Sequence, residues 1–121
     1  MRSMMPAKYQ GTGESGLKHP MSKERYESDV SLDMIDVVLE SSCSVFGCEQ
    51  PTQVDVIEVD INKWGKYWYY TKVITLHRPI LGVLIHELAH HISRELYTIP
   101  KHTHHEEHFW DTLQELHDMW R

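Results

Sequence analysis

No stretch of this chain approaches the roughly 18 to 20 consecutive apolar residues that a membrane-crossing helix needs. The first residues, MRSMMPAKYQGTGESGLKHP, lack the continuous apolar segment of a secretion signal. A cytoplasmic protein is therefore the expectation. Cysteine is scarce: Cys43 and Cys48, in CSVFGC, are the only two. Two thiols exclude a four-cysteine zinc site, and reduced structural cysteines are the simplest reading. Positive charge is also in deficit, with 12 Lys and Arg against 18 Asp and Glu for a formal net charge of -6. Nothing general then draws the chain to phosphate backbones or anionic lipid, and neither nucleic acid nor membrane is expected as its partner. Internal repeats and low-complexity tracts are lacking too.

What is present is an ordinary globular balance, 40% hydrophobic and 25% charged, over 121 residues, which is enough for one domain and too little for two. Residues 1–20 carry Pro6, Gly11, Gly13, Gly16 and Pro20 without apolar periodicity and read as a flexible N-terminal arm, leaving 21–121 as the domain. From Ser22 to about Ser42, Tyr26, Val30, Met34 and Val37 recur at helical spacing, although Ser31 is a possible break. QVDVIEVDI (53–61) and KYWYYTKVITL (66–76) read as two strands joined in a hairpin through Asn62 to Gly65. Pro79 suits the first turn of a helix ending near Tyr97, before Pro100. A last helix is expected from about His104 to Trp120, with Phe109, Leu113, Leu116 and Trp120 on one stripe.

The abundant residue is histidine, at 10. His86-Glu87-Leu88-Ala89-His90 is an HExxH pattern, and on a helix residues four apart lie about 40° apart in projection, so both imidazoles can share one small cation. Glu87, next to the first histidine, can reach a water on that cation without ligating it, as a general base must. Leu81, Ile85, Leu88, Ile92 and Leu96 gather on the opposite side, and Pro79 to Ile85 is free of charge, which suits an interior helix carrying a site.

A catalytic zinc takes three protein ligands and a water. With Phe109 at zero and about 100° per residue, His105 falls near -40°, in line with the apolar stripe, Glu106 near +60° and Glu107 near 160°. The stripe favours His105. Glu106 and Glu107 stay open, because zinc accepts a carboxylate and Asp111, one turn beyond Glu107, would add a hydrogen-bond acceptor behind the site. His91 projects away from the cation and reads as a surface or supporting residue, and His77, His102, His104 and His117 read as surface residues. Trp64, Tyr67, Trp68, Tyr69 and Tyr70 could line a cleft in which an extended peptide adds to the strand edge, or could simply be core. Tyr97, on the histidine side, is a candidate to stabilise an oxyanion.

HELAHH after a strand ending VITL, followed by His105-Glu-Glu-His-Phe109 and an apolar helix, resembles the small zincins of the SprT-like type. It is also similar to short HExxH proteins of phage and actinobacterial genomes. The resemblance covers about residues 66–120 and implies His86, His90 and His105 as zinc ligands and Glu87 as the base. Glu106 stands where the family's pattern has glycine. No C-terminal zinc ribbon or DNA-binding segment is expected before the end at Arg121, so DNA–protein crosslink repair does not carry over.

The expected architecture is α+β: a single zincin-like domain, a small sheet packed on the HExxH helix, and a following C-terminal helix. The expected function is that of a zinc metallopeptidase acting on a peptide or protein. A non-catalytic, zinc-stabilised interaction module is the competing reading, and retention of Glu87 argues against it, since a structural site needs no base.

Overall fold

The computed structural model describes residues 17–59, 63–97 and 108–121 together with the backbone of Glu107. The architecture is α+β. Its described elements are α1 (Lys23–Tyr26), α2 (Leu32–Phe46), β1 (Gln53–Val56), β2 (Gly65–Trp68), β3 (Val73–Leu76), α3 (Leu81–Tyr97) and α4 (Glu107–Trp120). No helix among the described residues is long and apolar enough to cross a membrane.

The helix expected over Ser22 to Ser42 is two helices. Ser22 caps α1 by accepting the Arg25 N–H at 3.2 Å, and Ser31 caps α2 by accepting the Met34 N–H at 3.1 Å. The intervening chain turns aside to pair with the start of α3. Val30 N–H donates to the Pro79 carbonyl at 2.9 Å, and Leu81 N–H, which has no partner within its own helix, donates to Ser28 at 2.8 Å. The break turns the buried face of α2 to Ile35, Val38, Leu39, Ser42 and Cys43, while Val37 is exposed.

The sheet corrects the expected hairpin. Its order is β1-β3-β2: β1 runs parallel to β3 in the centre, and β2 is an edge strand antiparallel to β3. KYWYYTKVITL is therefore a strand, a turn and a strand. The turn closes through Lys72 N–H to the Trp68 carbonyl at 2.8 Å, with Lys72 in the left-handed region at φ 60°. β1 and β2 never pair, because β3 lies between them.

α3 runs through the middle of the fold. The sheet, α4, α1 and α2 all pack on it, and every residue from Leu81 to Ala89 is buried. Gly82 makes one contact possible: a Cβ there would fall 2.2 Å from the Tyr26 ring, which lies fully buried on the helix backbone. On α4 the expected stripe holds, with Phe109, Leu113 and Leu116 buried. His117 departs from its expected surface place. It is fully buried, and its Nδ1 accepts the Met21 N–H at 2.9 Å. The end of the expected arm also joins the body, since Gln114 Oε1 accepts from the N–H groups of Lys18 and His19 and Gln114 Nε2 donates to the His19 carbonyl. Residues 1–16 lie outside the described ones.

Candidate metal centre

The HExxH residues occupy the second and third turns of α3. His86 and Glu87 are buried and His90 is half-buried. The helical spacing does what the sequence requires of it: the two imidazoles lie edge to face with ring centres 5.1 Å apart. Two imidazoles on one tetrahedral zinc, each with a Zn–N distance of about 2.1 Å, have ring centres about 5 Å apart, so the pair fits a shared ion. α4 closes on this spot. The Phe109 ring stacks on His90 at 4.4 Å and meets His86 edge-on at 5.0 Å. Deeper between the same helices, the Ser93 hydroxyl donates to Thr112 Oγ1 at 3.3 Å, both residues being buried.

Glu87 faces the sheet edge. A Cβ built on Gly65, the first residue of β2, would come within 2.7 Å of Val83 Cγ1, 3.1 Å of the Thr75 carbonyl and 3.3 Å of Glu87 Cγ. The strand can lie this close to the helix, beside the carboxylate-bearing residue, only because residue 65 has no side chain.

Among the described residues no group of three His, Cys, Asp or Glu side chains is gathered as a metal cage. His102, His104, His105 and Glu106 lie outside the described residues, as does the side chain of Glu107. Asp111, the expected partner of Glu107, is exposed.

No family model, curated protein or solved structure matches the chain.

The remaining expectations divide. His91 is fully buried and supports the sheet. Its Nε2 lies 2.8 Å from the Glu49 carbonyl, which can only accept, so that nitrogen carries the proton. Nδ1 therefore accepts from the Tyr67 hydroxyl at 2.9 Å. Burial holds the imidazole pKa below its ordinary value, which keeps this tautomer neutral, and burial likewise pushes the Tyr67 phenol up. His77 is half-buried, and its Nδ1–H donates to the Ile57 carbonyl at 2.8 Å.

The five aromatics do not form one cluster. Trp64 is buried beneath the Arg78 guanidinium, Tyr67 faces His91, and Tyr69 lies under Arg94. Trp68 lies on the outer face of β2, with Lys66 over its ring and its indole N–H on Thr75 Oγ1, while Tyr70 is exposed. Tyr97 stacks on His108 at 4.0 Å at the exposed end of α3, and no oxyanion role follows from that contact.

Sequence reasoning missed Gly65, placed in a turn, and the Tyr67–His91–Glu49 chain. A glycine inside an aromatic strand was the available signal for the first, since such glycines often mark a close backbone approach. His91 carried no such signal.

Proposed function

We propose that this chain is a zinc-dependent metallopeptidase with a zincin-like fold, resembling the small SprT-like proteins and acting in the cytoplasm on a peptide or protein substrate. His86 and His90 hold the ion from α3, His105 completes the set from the approach to α4, and Glu87 is the general base. The observation that carries this reading is the pair of imidazoles on a buried helix, 5.1 Å apart, with Glu87 between them in sequence and buried beside them.

When bound, zinc would polarise the scissile carbonyl and make a neighbouring water more acidic. Glu87 takes a proton from the attacking water and passes it to the leaving amine, and the low exposure of its carboxylate strengthens both exchanges. Phe109 fixes the two imidazole rings by contact and limits the water around them. Among the described residues β2 is an edge strand, and its outer backbone N–H and C=O groups can pair with an extended peptide. Gly65 brings that edge within reach of Glu87, so the strand that would hold the substrate adjoins the base that would act on it.

The test compares wild type with Glu87→Gln for bound zinc and for cleavage of a broad peptide library. Equal zinc with cleavage reduced about 10²- to 10⁴-fold in the variant is the expected result. A wild type that binds zinc and cleaves nothing overturns the peptidase in favour of the interaction module.

A further inference from the structure

Cys43 and Cys48 take no part in the function proposed above, and their geometry is specific. α2 ends in a Schellman turn: Gly47 is left-handed (φ 71°), its N–H bonds the Ser44 carbonyl at 3.2 Å, and the Cys48 N–H bonds the Cys43 carbonyl at 3.0 Å. Such a turn sets the side chain that follows the glycine against one from the last helical turn, commonly as an apolar contact. Here both members are cysteine, and both thiols are free.

The two thiols are not equivalent. Cys43 is buried, and the neighbouring Cys48 thiol, together with that burial, pushes its thiol up. Cys48 is half-buried, and the neighbouring Cys43 thiol pulls its own thiol down against the opposing effects of burial and Glu95. A half-buried, reachable sulfur beside an interior one is the arrangement of an attacking and a resolving cysteine.

We propose that Cys43 and Cys48 form a reversible disulfide site, in which Cys48 exchanges with a small-molecule disulfide of the glutathione class and Cys43 resolves the adduct. The Cys48 thiolate attacks one sulfur of the oxidised small molecule, forming a mixed disulfide and expelling a thiolate. Cys43 then yields its proton to solvent and attacks the Cys48 sulfur, and the second small thiolate leaves and is protonated. Two protein thiols and one small disulfide thus become one protein disulfide and two small thiols. The next residue is Glu49, whose carbonyl anchors His91 on α3, so the disulfide closes the turn that holds the middle of that helix. The site stands whether or not α3 holds zinc.

The experiment treats the reduced 121-residue chain with oxidised glutathione, quenches with iodoacetamide under denaturing conditions and reads the intact mass. Wild type should lose two hydrogens, keep no glutathione and fall from two iodoacetamide adducts to none, with dithiothreitol reversing the change. Cys43→Ser should stall as the glutathione adduct on Cys48. Cys48→Ser should form its adduct about tenfold more slowly or worse, because the remaining thiol is buried and protonated. Wild type that accumulates the glutathione adduct, keeps both thiols alkylatable or links two chains overturns the site. Equal adduct rates in the two serine variants overturn the assigned order of attack.

Discussion

The Tyr67 hydroxyl donates to His91 Nδ1 at 2.9 Å, tying the edge strand β2 to the helix that carries the HExxH motif. The imidazole is fully buried, and its other nitrogen is already committed to the Glu49 carbonyl at 2.8 Å. Tyr67→Phe keeps the ring but leaves Nδ1 without its donor. An unpaired buried acceptor costs about 1–3 kcal/mol, and urea denaturation of the variant should show a loss in that range. A loss within about 0.5 kcal/mol, the usual range of a neutral surface change, would mean the bond does not hold the strand.

Gly65 gives a second test through packing. Gly65→Ala puts a methyl group 2.7 Å from Val83 Cγ1, 3.1 Å from the Thr75 carbonyl and 3.3 Å from Glu87 Cγ. Overpacking of this kind costs about 1–3 kcal/mol, and the strand is expected to lift from the helix. Combining it with Val83→Ala removes the shortest contact, so the double variant should recover part of the loss relative to the sum of the single ones, read as a coupling energy in a double-mutant cycle. Strict additivity would refute the contact. If the proposed peptidase reading holds, Gly65→Ala also lowers kcat/KM by more than its stability loss explains, because the third contact is with the base.

What could be read from the sequence, and what could not, follows from how local each signal is. α3 was legible because Pro79 marks its start and the apolar residues gather on the side away from the two motif histidines, a pattern that needs no partner to interpret. The turn between β2 and β3 was hidden: it contains no glycine or proline, and Lys72 takes the left-handed conformation within an unbroken aromatic and β-branched run. The pairing of β1 with β3 was equally hidden, since a parallel partner beyond the next strand leaves no mark on local periodicity. Ser31 did announce the end of one helix and the start of another, but helical spacing continues across it. Buried histidines are the hardest case. His91 and His117 each replace an apolar side chain by satisfying a ring nitrogen with a distant group, a backbone carbonyl for one and a backbone N–H for the other.

Glu95 supplies a pH prediction. Its carboxylate is 3.0 Å from Lys72 Nζ and 2.9 Å from Arg94 Nη1, with its side chain 14% exposed. Burial alone would raise its pKa, but the Lys72 hydrogen bond and the charges around it prevail and hold the carboxyl below its ordinary range. A carboxylate depressed in the folded state contributes stability above its unfolded pKa, about 4.3 for Glu, and loses it as pH falls through the folded value. Lys72 is partly exposed, so the contribution is set at no more than about 1 kcal/mol. Glu95→Gln should therefore be less stable than wild type at neutral pH, and the gap should close as the pH falls below about 4. A gap of the same size at both pH values would assign the effect to packing.

The third ligand of the proposed site can be decided by substitution. Phe109 touches both motif histidines from the first full turn of α4, and His105 lies one turn before it in sequence, on the same projected stripe. Asp111 is exposed, which weakens the pairing that would have favoured Glu107. His105→Ala should then lower zinc affinity at least about a hundredfold, since even the residues that merely support a ligand cost 10- to 100-fold when removed. Glu107→Gln should leave affinity unchanged within about threefold, and Glu106→Gln should do the same if the carboxylate is not a ligand. Competition against a chromogenic chelator measures all three, with circular dichroism of each apo variant to separate ligation from folding. Full zinc affinity in His105→Ala, with loss in either glutamate variant, would move the ligand to that carboxylate and leave His86, His90 and Glu87 in their proposed roles.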